Sequence, residues 1–198
     1  MAVFARRGYA AATVDAVAER AGVAKGTVYQ YFKSKEELLF AVFDRWVAQY
    51  FAALSARVPT TGVTAEEQLR RLAQAAVELA GDVEDLYPLT FEFWAASASL
   101  GLRERFLAQF RSMYDLFRDY VAGILRRGIE AGEFSSDVDA EAVAAMFVGA
   151  IDGFFLQAWF DPQLDAAKTC AGFVEILIRG LKPRPPVPDE EGGSHAEA

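Results

Sequence analysis

The residues best suited to chemistry lie close together between Thr13 and Lys35. Hydroxyl, amide and phenol groups follow one another in this stretch, with lysines among them. Amides and hydroxyls can hydrogen bond to base edges in a DNA groove, and ammonium groups can bind phosphates. Gln30 has the geometry to read adenine, and Lys33 lies where a phosphate contact is expected. These groups therefore favour hydrogen-bonded recognition of double-stranded DNA.

Groups suited to catalysis or metal binding are scarce. The one histidine, His195, lies in a polar segment near the end of the chain, and the one cysteine, Cys170, rules out an internal disulfide and any CxxC site. No GxSxG, Walker A or GxGxxG motif is present. We expect no enzyme activity, no cofactor and no metal. Cys170 is read as a core or interface thiol, with redox sensing as the alternative.

Two short helices must position the recognition residues. Thr13 can cap the first helix and can offer its hydroxyl and nearby N–H groups to a phosphate, while Gly22 suits the tight turn that follows. The second helix is predicted over Lys25–Tyr31, in the arrangement of a helix-turn-helix. A surface helical hairpin with ordinary positive charges is the alternative. The outward face of the second helix carries Lys25, Gly26, Thr27, Tyr29, Gln30 and Tyr31.

The charge of the chain is divided unevenly. The 198 residues carry a net charge of −8, which argues against coating nucleic acid through bulk positive charge. Residues 1–35, however, contain six basic and two acidic residues, a net of +4, and the remaining residues carry −12. Hydrophobic residues make up 53% of the chain, enough for a sizeable core. We infer a small basic module attached to a larger acidic body.

The rest of the chain has the three-to-four periodicity of helices, so we predict an all-α protein. Capping boxes at Ser34–Glu37 and Thr64–Glu67 open two of the helices. We expect a DNA-binding domain over 1–45, a helical effector-binding and dimerisation domain over 46–181, and a disordered tail over 182–198. No membrane span or secretory signal is expected, which favours a cytoplasmic protein.

The segment Gly8–Leu39 resembles the DNA-binding domain of the TetR/AcrR family of transcriptional regulators. The matching residues include the pairs and triplets Gly8-Tyr9, Thr13-Val14, Ala21-Gly22-Val23 and Lys25-Gly26-Thr27, with no gap over the segment. The resemblance implies a homodimer, usually a repressor, that binds a palindromic operator and is released by a small-molecule effector. It implies DNA contacts from Lys25, Gly26, Thr27, Tyr29, Gln30, Tyr31 and Lys35.

One departure from the family pattern concerns the first helix. That helix normally begins well before the position of Phe4, whereas Met1 lies inside it here. We expect either a start upstream of Met1 or a short first helix. A helical ligand-binding or interaction protein with weakened DNA binding is therefore the alternative function.

The acidic body resembles the family more loosely, and it suggests two surfaces. The family pairs its last two helices with those of a second subunit, and packing inside one subunit is the alternative for the same residues. We assign Val143, Phe147, Ala150, Phe154, Phe173, Ile176 and Leu177 to this dimer interface.

Aromatic residues also cluster in the middle of the body, where the family holds its effector. Simple core packing is the alternative for any one of them. Asp152 stands in an apolar helix, where it could hold a cationic ligand or bond to a nearby backbone or hydroxyl group. Glu92 is a second possible polar contact. The predicted effector site contains Phe91, Trp94, Phe110, Tyr114, Asp152 and Phe155.

Overall fold

The computed structural model describes residues 1–81 and 86–183. Within these ranges the chain is helical and contains no strand, which confirms the predicted all-α fold. Most of the predicted turn at 81–85 and of the predicted tail at 182–198 lies outside the described residues. In chain order the helices are α1 (Ala2–Ala11), α2 (Val14–Ala21), α3 (Lys25–Tyr31), α4 (Lys35–Ser55), α5 (Ala65–Glu78), α6 (Leu86–Ser99), α7 (Arg103–Glu130), α8 (Ala140–Phe160) and α9 (Ala166–Leu181).

Local sequence signals explain where most of these helices begin. Thr13, Ser34, Thr64 and Asp139 each accept a hydrogen bond from the backbone N–H three residues further on. Such side chains satisfy N–H groups that have no partner in the first turn of a helix. Helix α9 begins at Ala166 rather than near 163, because Asp165 provides its cap. The predicted caps therefore have their expected function.

Helix α1 is interrupted at Gly8. This residue has φ 74° and ψ 168°, a conformation that glycine adopts without a steric penalty. The residues on either side of Gly8 are helical, so Tyr9 and Ala10 begin a new turn with its own unpaired N–H groups.

The buried side chains form two clusters. One cluster lies mainly within α5, α7, α8 and α9 and forms the core of the acidic body. The other is built from the N-terminal helices, and it also includes Leu89 and Phe93 of α6 and Phe106 of α7. The N-terminal module therefore shares its core with the body, and α6 is the helix that carries most of this contact.

Helix α8 is long and apolar enough, by length and composition alone, to cross a membrane. It packs instead against α7 and α9. Few residues in its most apolar stretch are buried within one chain, and Met146 is 65% exposed. Helix α8 therefore has more apolar surface than the core of a single chain buries.

Candidate DNA-binding surface and ligand cavity

Helices α2 and α3 form the predicted helix-turn-helix. Gly22 ends α2 in the left-handed conformation with φ 69°, and its N–H bonds to the carbonyls of Ala18 and Glu19. The chain then turns into α3, in which Val28 is the buried residue. Because one residue anchors α3 to the module, the rest of this short helix is free to face a partner.

The predicted recognition residues lie together on that exposed helix. Lys25, Gly26, Thr27, Tyr29, Gln30 and Tyr31 are all exposed. Tyr31 is 77% exposed, which is unusual for an aromatic side chain and leaves it available to a partner. A Cβ added at Gly26 would meet no atom within 4 Å, so the helix surface is open there. The structure therefore presents a compact set of donors, acceptors and rings.

Lys25 is engaged by a neighbouring carboxylate. Its Nζ lies 2.9 Å from Asp15 at the start of α2, and this hydrogen bond raises the pKa of Lys25. Both side chains are more than half exposed. A surface ion pair of this kind contributes little to stability, and a phosphate could replace Asp15 as the partner.

The two lysines that follow the recognition helix lie in different environments. Lys33 is exposed, and Thr13 is exposed at the start of α2, as expected for phosphate contacts. Lys35 is half-buried, and its Nζ donates to the carbonyls of Tyr9 at 2.8 Å and Ala10 at 3.3 Å. The same ammonium lies 4.3 Å from the centre of the Tyr9 ring. The Lys35 amine is therefore used inside the module in this structure, and its contact with DNA stays a prediction.

A separate cavity lies in the acidic body. Its volume is about 280 Å³, and its walls come from α4, α5, α6, α7 and α8. Five of the six predicted effector residues line it, namely Phe91, Phe110, Tyr114, Asp152 and Phe155. Phe91 is also 47% exposed, so the cavity reaches the surface beside it.

Trp94 and Glu92 lie elsewhere, although both are on α6. The Trp94 ring packs against Phe106 and lies beneath the Arg103 guanidinium at 4.1 Å. Glu92 points to the N-terminal module and accepts hydrogen bonds from the N–H groups of Tyr9 and Ala10. Both expectations of a cavity role are corrected, because successive residues of a helix point in different directions.

Helix α4 contributes cavity residues that the sequence patterns did not single out. Phe43, Trp46 and Tyr50 line the wall. The Trp46 ring stacks on Tyr50 and lies tilted against Phe43. The wide apolar stripe of α4 was the available signal, but a stripe does not distinguish a cavity wall from filled core. One helix thus runs from the end of the helix-turn-helix to the cavity.

Asp152 is held by two phenols at the cavity wall. The Tyr114 hydroxyl donates to Oδ2 at 2.8 Å, and the Tyr87 hydroxyl lies 3.4 Å from Oδ1 and 3.3 Å from the Asp152 carbonyl. Burial raises the pKa of both tyrosines, as do the charge and hydrogen bonding of Asp152. Both phenols remain protonated donors at neutral pH. This matches the hydroxyl-bonding alternative for Asp152.

The predicted dimer residues divide into inward and outward groups. Phe147 is 3% exposed and lines the cavity, so its assignment to an outer face is corrected. Phe154 and Phe173 are half-buried and pack edge to face. Ile176 is 65% exposed on α9, and Met146, which the pattern missed, is equally exposed on α8. The other members, Val143, Ala150 and Leu177, are half-buried.

The described residues offer little metal-binding or thiol chemistry. Within residues 1–81 and 86–183, no group of three or more histidine, cysteine, aspartate or glutamate residues could hold a metal ion. Cys170 is buried, and burial raises its pKa to about 11. A thiol in this environment is protonated at neutral pH and unreactive.

Comparisons with known proteins agree with this geometry. Residues 1–42 match the family model of bacterial regulatory proteins of the tetR family. Residues 65–179 match the model of the C-terminal part of BetI-type transcriptional repressors. The two matches coincide with the helix-turn-helix module and with most of the body that contains the cavity.

Individual relatives are regulators of the same kind. The fatty acid metabolism regulator protein of Bacillus subtilis is 27% identical over 184 residues, 90% of each chain. The regulator LuxR of Vibrio harveyi is 30% identical over 156 residues, 79% of this chain and 73% of its own. The structure of FadR from Bacillus subtilis in complex with stearoyl-CoA is 28% identical, with a TM-score of 0.69 and coverage of 91% and 94%. The chain belongs to the TetR family of bacterial transcriptional regulators and is a DNA-binding regulator of transcription.

Proposed function

We propose that this protein is a repressor that binds a palindromic operator as a homodimer and is released when an apolar small molecule fills the cavity. The observation that carries this proposal is the position of α6 between two sites. Tyr87 and Phe91 of this helix line the cavity, while Leu89 and Phe93 pack in the core of the DNA-binding module. A ligand that moves α6 would therefore move the recognition helix. As a regulator of chromosomal genes, the protein would act in the cytoplasm of a bacterial cell.

The exposed apolar face of α8 and α9 supports a homodimer. Met146 and Ile176 are each 65% exposed, and Gly149 and Gly172 on the same helices have open space around them. Apolar side chains among small residues suit close helix packing, and a two-fold interface buries such a face with a second copy of itself. Two subunits would carry two recognition helices, as a palindrome requires.

The oligomeric state tests this part of the proposal. Sedimentation equilibrium should give twice the 21.7 kDa of one chain for the wild type. Replacing both Met146 and Ile176 by glutamate should give the single-chain mass, because each subunit would bring like charges into the interface. Val63→Glu, at an exposed apolar residue of a loop, is the matched control and should remain a dimer. A monomeric wild type would contradict the homodimer.

The cavity favours a ligand with a long apolar part and no buried negative charge. Aromatic and aliphatic side chains make up most of its wall, and Asp152 already places a carboxylate there. A free fatty acid buried beside Asp152 would bring two negative charges together, which is costly in an apolar site. A thioester is uncharged, and its coenzyme could stay in solvent beside Phe91. The relative whose structure contains stearoyl-CoA supports a fatty acyl thioester.

Release from DNA tests the ligand class. A palindrome selected in vitro from random DNA serves as the operator in gel-shift assays. Stearoyl-CoA should weaken operator binding, whereas coenzyme A alone should not, because only the acyl chain fills the cavity. Ile151→Trp, at a residue of the wall, should retain operator binding and lose the response. An unchanged operator affinity in stearoyl-CoA would contradict the acyl ligand, and failure to select any DNA would favour the alternative interaction protein.

A further inference from the structure

Glu92 of α6 makes a direct contact with the backbone of the DNA-binding module. Its Oε2 accepts a hydrogen bond from the Tyr9 N–H and its Oε1 accepts one from the Ala10 N–H, both at 2.7 Å. Both distances lie at the short end of the range for N–H···O hydrogen bonds. The contact joins residues that are more than eighty positions apart in the chain.

The interruption of α1 creates the need for this carboxylate. After Gly8, the first N–H groups of the new turn have no carbonyl partner within the helix. Both of the N–H groups that Glu92 satisfies belong to this turn, where a negative charge is also favoured by the helix dipole. A Cβ at Gly8 would collide with the Glu92 carboxylate, so the two segments approach as closely as glycine permits.

The same turn is tied to the start of α4. Lys35 donates to the Tyr9 and Ala10 carbonyls, and the Tyr9 hydroxyl donates to Glu36. The Tyr9 ring also packs on Phe93 of α6 at 4.9 Å. The residues at the start of α4 directly follow the recognition helix. A short chain of contacts therefore runs from α6 through Tyr9 to α4.

We infer that Glu92 is the positioning residue that couples the cavity helix α6 to the recognition helix. Its two bonds fix the turn at Tyr9 and Ala10 on α6, and the turn fixes the start of α4. The role of a ligand in moving α6 rests on the function proposed above. The coupling can be tested without knowing the ligand, because coupling between two sites is reciprocal. If α6 transmits an effect from the cavity to DNA binding, then DNA bound at α3 must also affect α6.

The first measurement follows hydrogen exchange of the Tyr9 and Ala10 amides by NMR in the full-length protein. Glu92→Ala removes both acceptors, so these amides should exchange at least about tenfold faster, the loss expected for one hydrogen bond to a charged group. Glu92→Gln keeps one acceptor and should show an intermediate effect. Glu104→Gln, at an exposed acid of α7, removes the same charge elsewhere and should leave both amides unchanged.

The second measurement uses the selected operator as the only ligand. Operator binding should change the exchange of the α6 amides from Tyr87 to Phe91 in the wild type, and this change should be largely lost in Glu92→Ala. Gln109→Ala is the matched control, since Gln109 of α7 donates to the Phe40 carbonyl and to Asp44 of α4. It removes another contact between body and module but leaves Glu92 in place, so the change at α6 should persist.

Three outcomes would overturn the inference. The first is wild-type exchange of the Tyr9 and Ala10 amides in Glu92→Ala, and the second is an α6 response to the operator that survives this substitution. The third is a wild type whose α6 amides do not respond to the operator. Failure of stearoyl-CoA to release the operator would contradict the proposed ligand and would leave these three results as they stand.

Discussion

Tyr114 donates a 2.8 Å hydrogen bond to Asp152, and this bond joins α7 to α8 at the cavity wall. The carboxylate is half-buried beside aromatic rings, and the Tyr114 bond is shorter than the distances from the Tyr87 hydroxyl to Asp152. Since an ionised group in an apolar wall needs a partner, Tyr114 is the main stabilising contact of Asp152.

Tyr114→Phe should destabilise the fold by about 1–3 kcal/mol, because it removes a hydrogen bond to a charged group and keeps the ring. Urea denaturation followed by circular dichroism measures the change. Tyr29→Phe, at an exposed ring of α3, is the control and should change stability by less than about 0.5 kcal/mol. Equal stability of the Tyr114 variant and the wild type would show that Asp152 does not depend on this phenol.

Alkaline pH should destabilise the protein through Tyr87 and Tyr114. Their pKa values are raised in the folded state, so their contribution is complete below the unfolded value of about 10 and is lost as the pH rises above it. The urea midpoint should fall between pH 9 and pH 11. The Tyr87→Phe/Tyr114→Phe double variant should show a smaller fall. Part of the fall in the urea midpoint should remain in this double variant, because the pKa of Tyr9 is also raised.

Gly128→Ala should destabilise the core of the body. A Cβ at this position would collide with the Phe134 ring and would lie 2.8 Å from the Ala65 Cβ. Overpacking of this kind typically costs about 1–3 kcal/mol, which outweighs the helix propensity of alanine. Gly123→Ala is the control on the same helix, since its added Cβ would meet only the end of the Arg127 side chain. Thermal unfolding should separate the two variants clearly.

Lys33→Ala and Lys35→Ala should act on different properties. Lys33→Ala should weaken binding to all DNA sequences and reduce the slope of log affinity against log salt by about one, as expected for a lost phosphate contact. Lys35→Ala should lower the melting temperature, because its ammonium bonds to the carbonyls of Tyr9 and Ala10. Salt-dependent gel shifts and calorimetry on both variants test this difference. A reduced salt slope with unchanged stability in Lys35→Ala would instead assign that lysine to phosphate.

Cys170 should resist thiol reagents in the folded protein. Its side chain is buried and its pKa is raised to about 11, so little thiolate exists at pH 8. Labelling with a thiol-reactive dye should be slow in buffer and complete in urea. Rapid labelling of the folded protein would restore the redox-sensing alternative.

The helix-turn-helix could be predicted from the sequence because its signals are local. Thr13 caps α2 by accepting a hydrogen bond from the Ala16 N–H three residues further on, and Gly22 supplies a left-handed turn at the end of that helix. Exposure of Tyr29 and Tyr31 follows from the period of a short helix whose buried residue is Val28. The family resemblance depends on the same gap-free segment, so both lines of reasoning identified the same module.

The cavity and the coupling contacts depend on the tertiary structure. Helical periodicity groups Phe91 with Trp94 and places Glu92 beside them, but the packing of α6 between body and module decides that Phe91 lines the cavity, Trp94 packs on Phe106 and Glu92 meets Tyr9.

The contacts of Lys35 and Phe147 were likewise decided by the tertiary structure and not by local sequence patterns. The sequence by itself determined which residues share a helix and which helix carries the predicted recognition residues, since these follow from bonds between near neighbours in the chain. Only the tertiary structure decided what each helix face meets. That depends on contacts between residues many positions apart, and no local pattern specifies them.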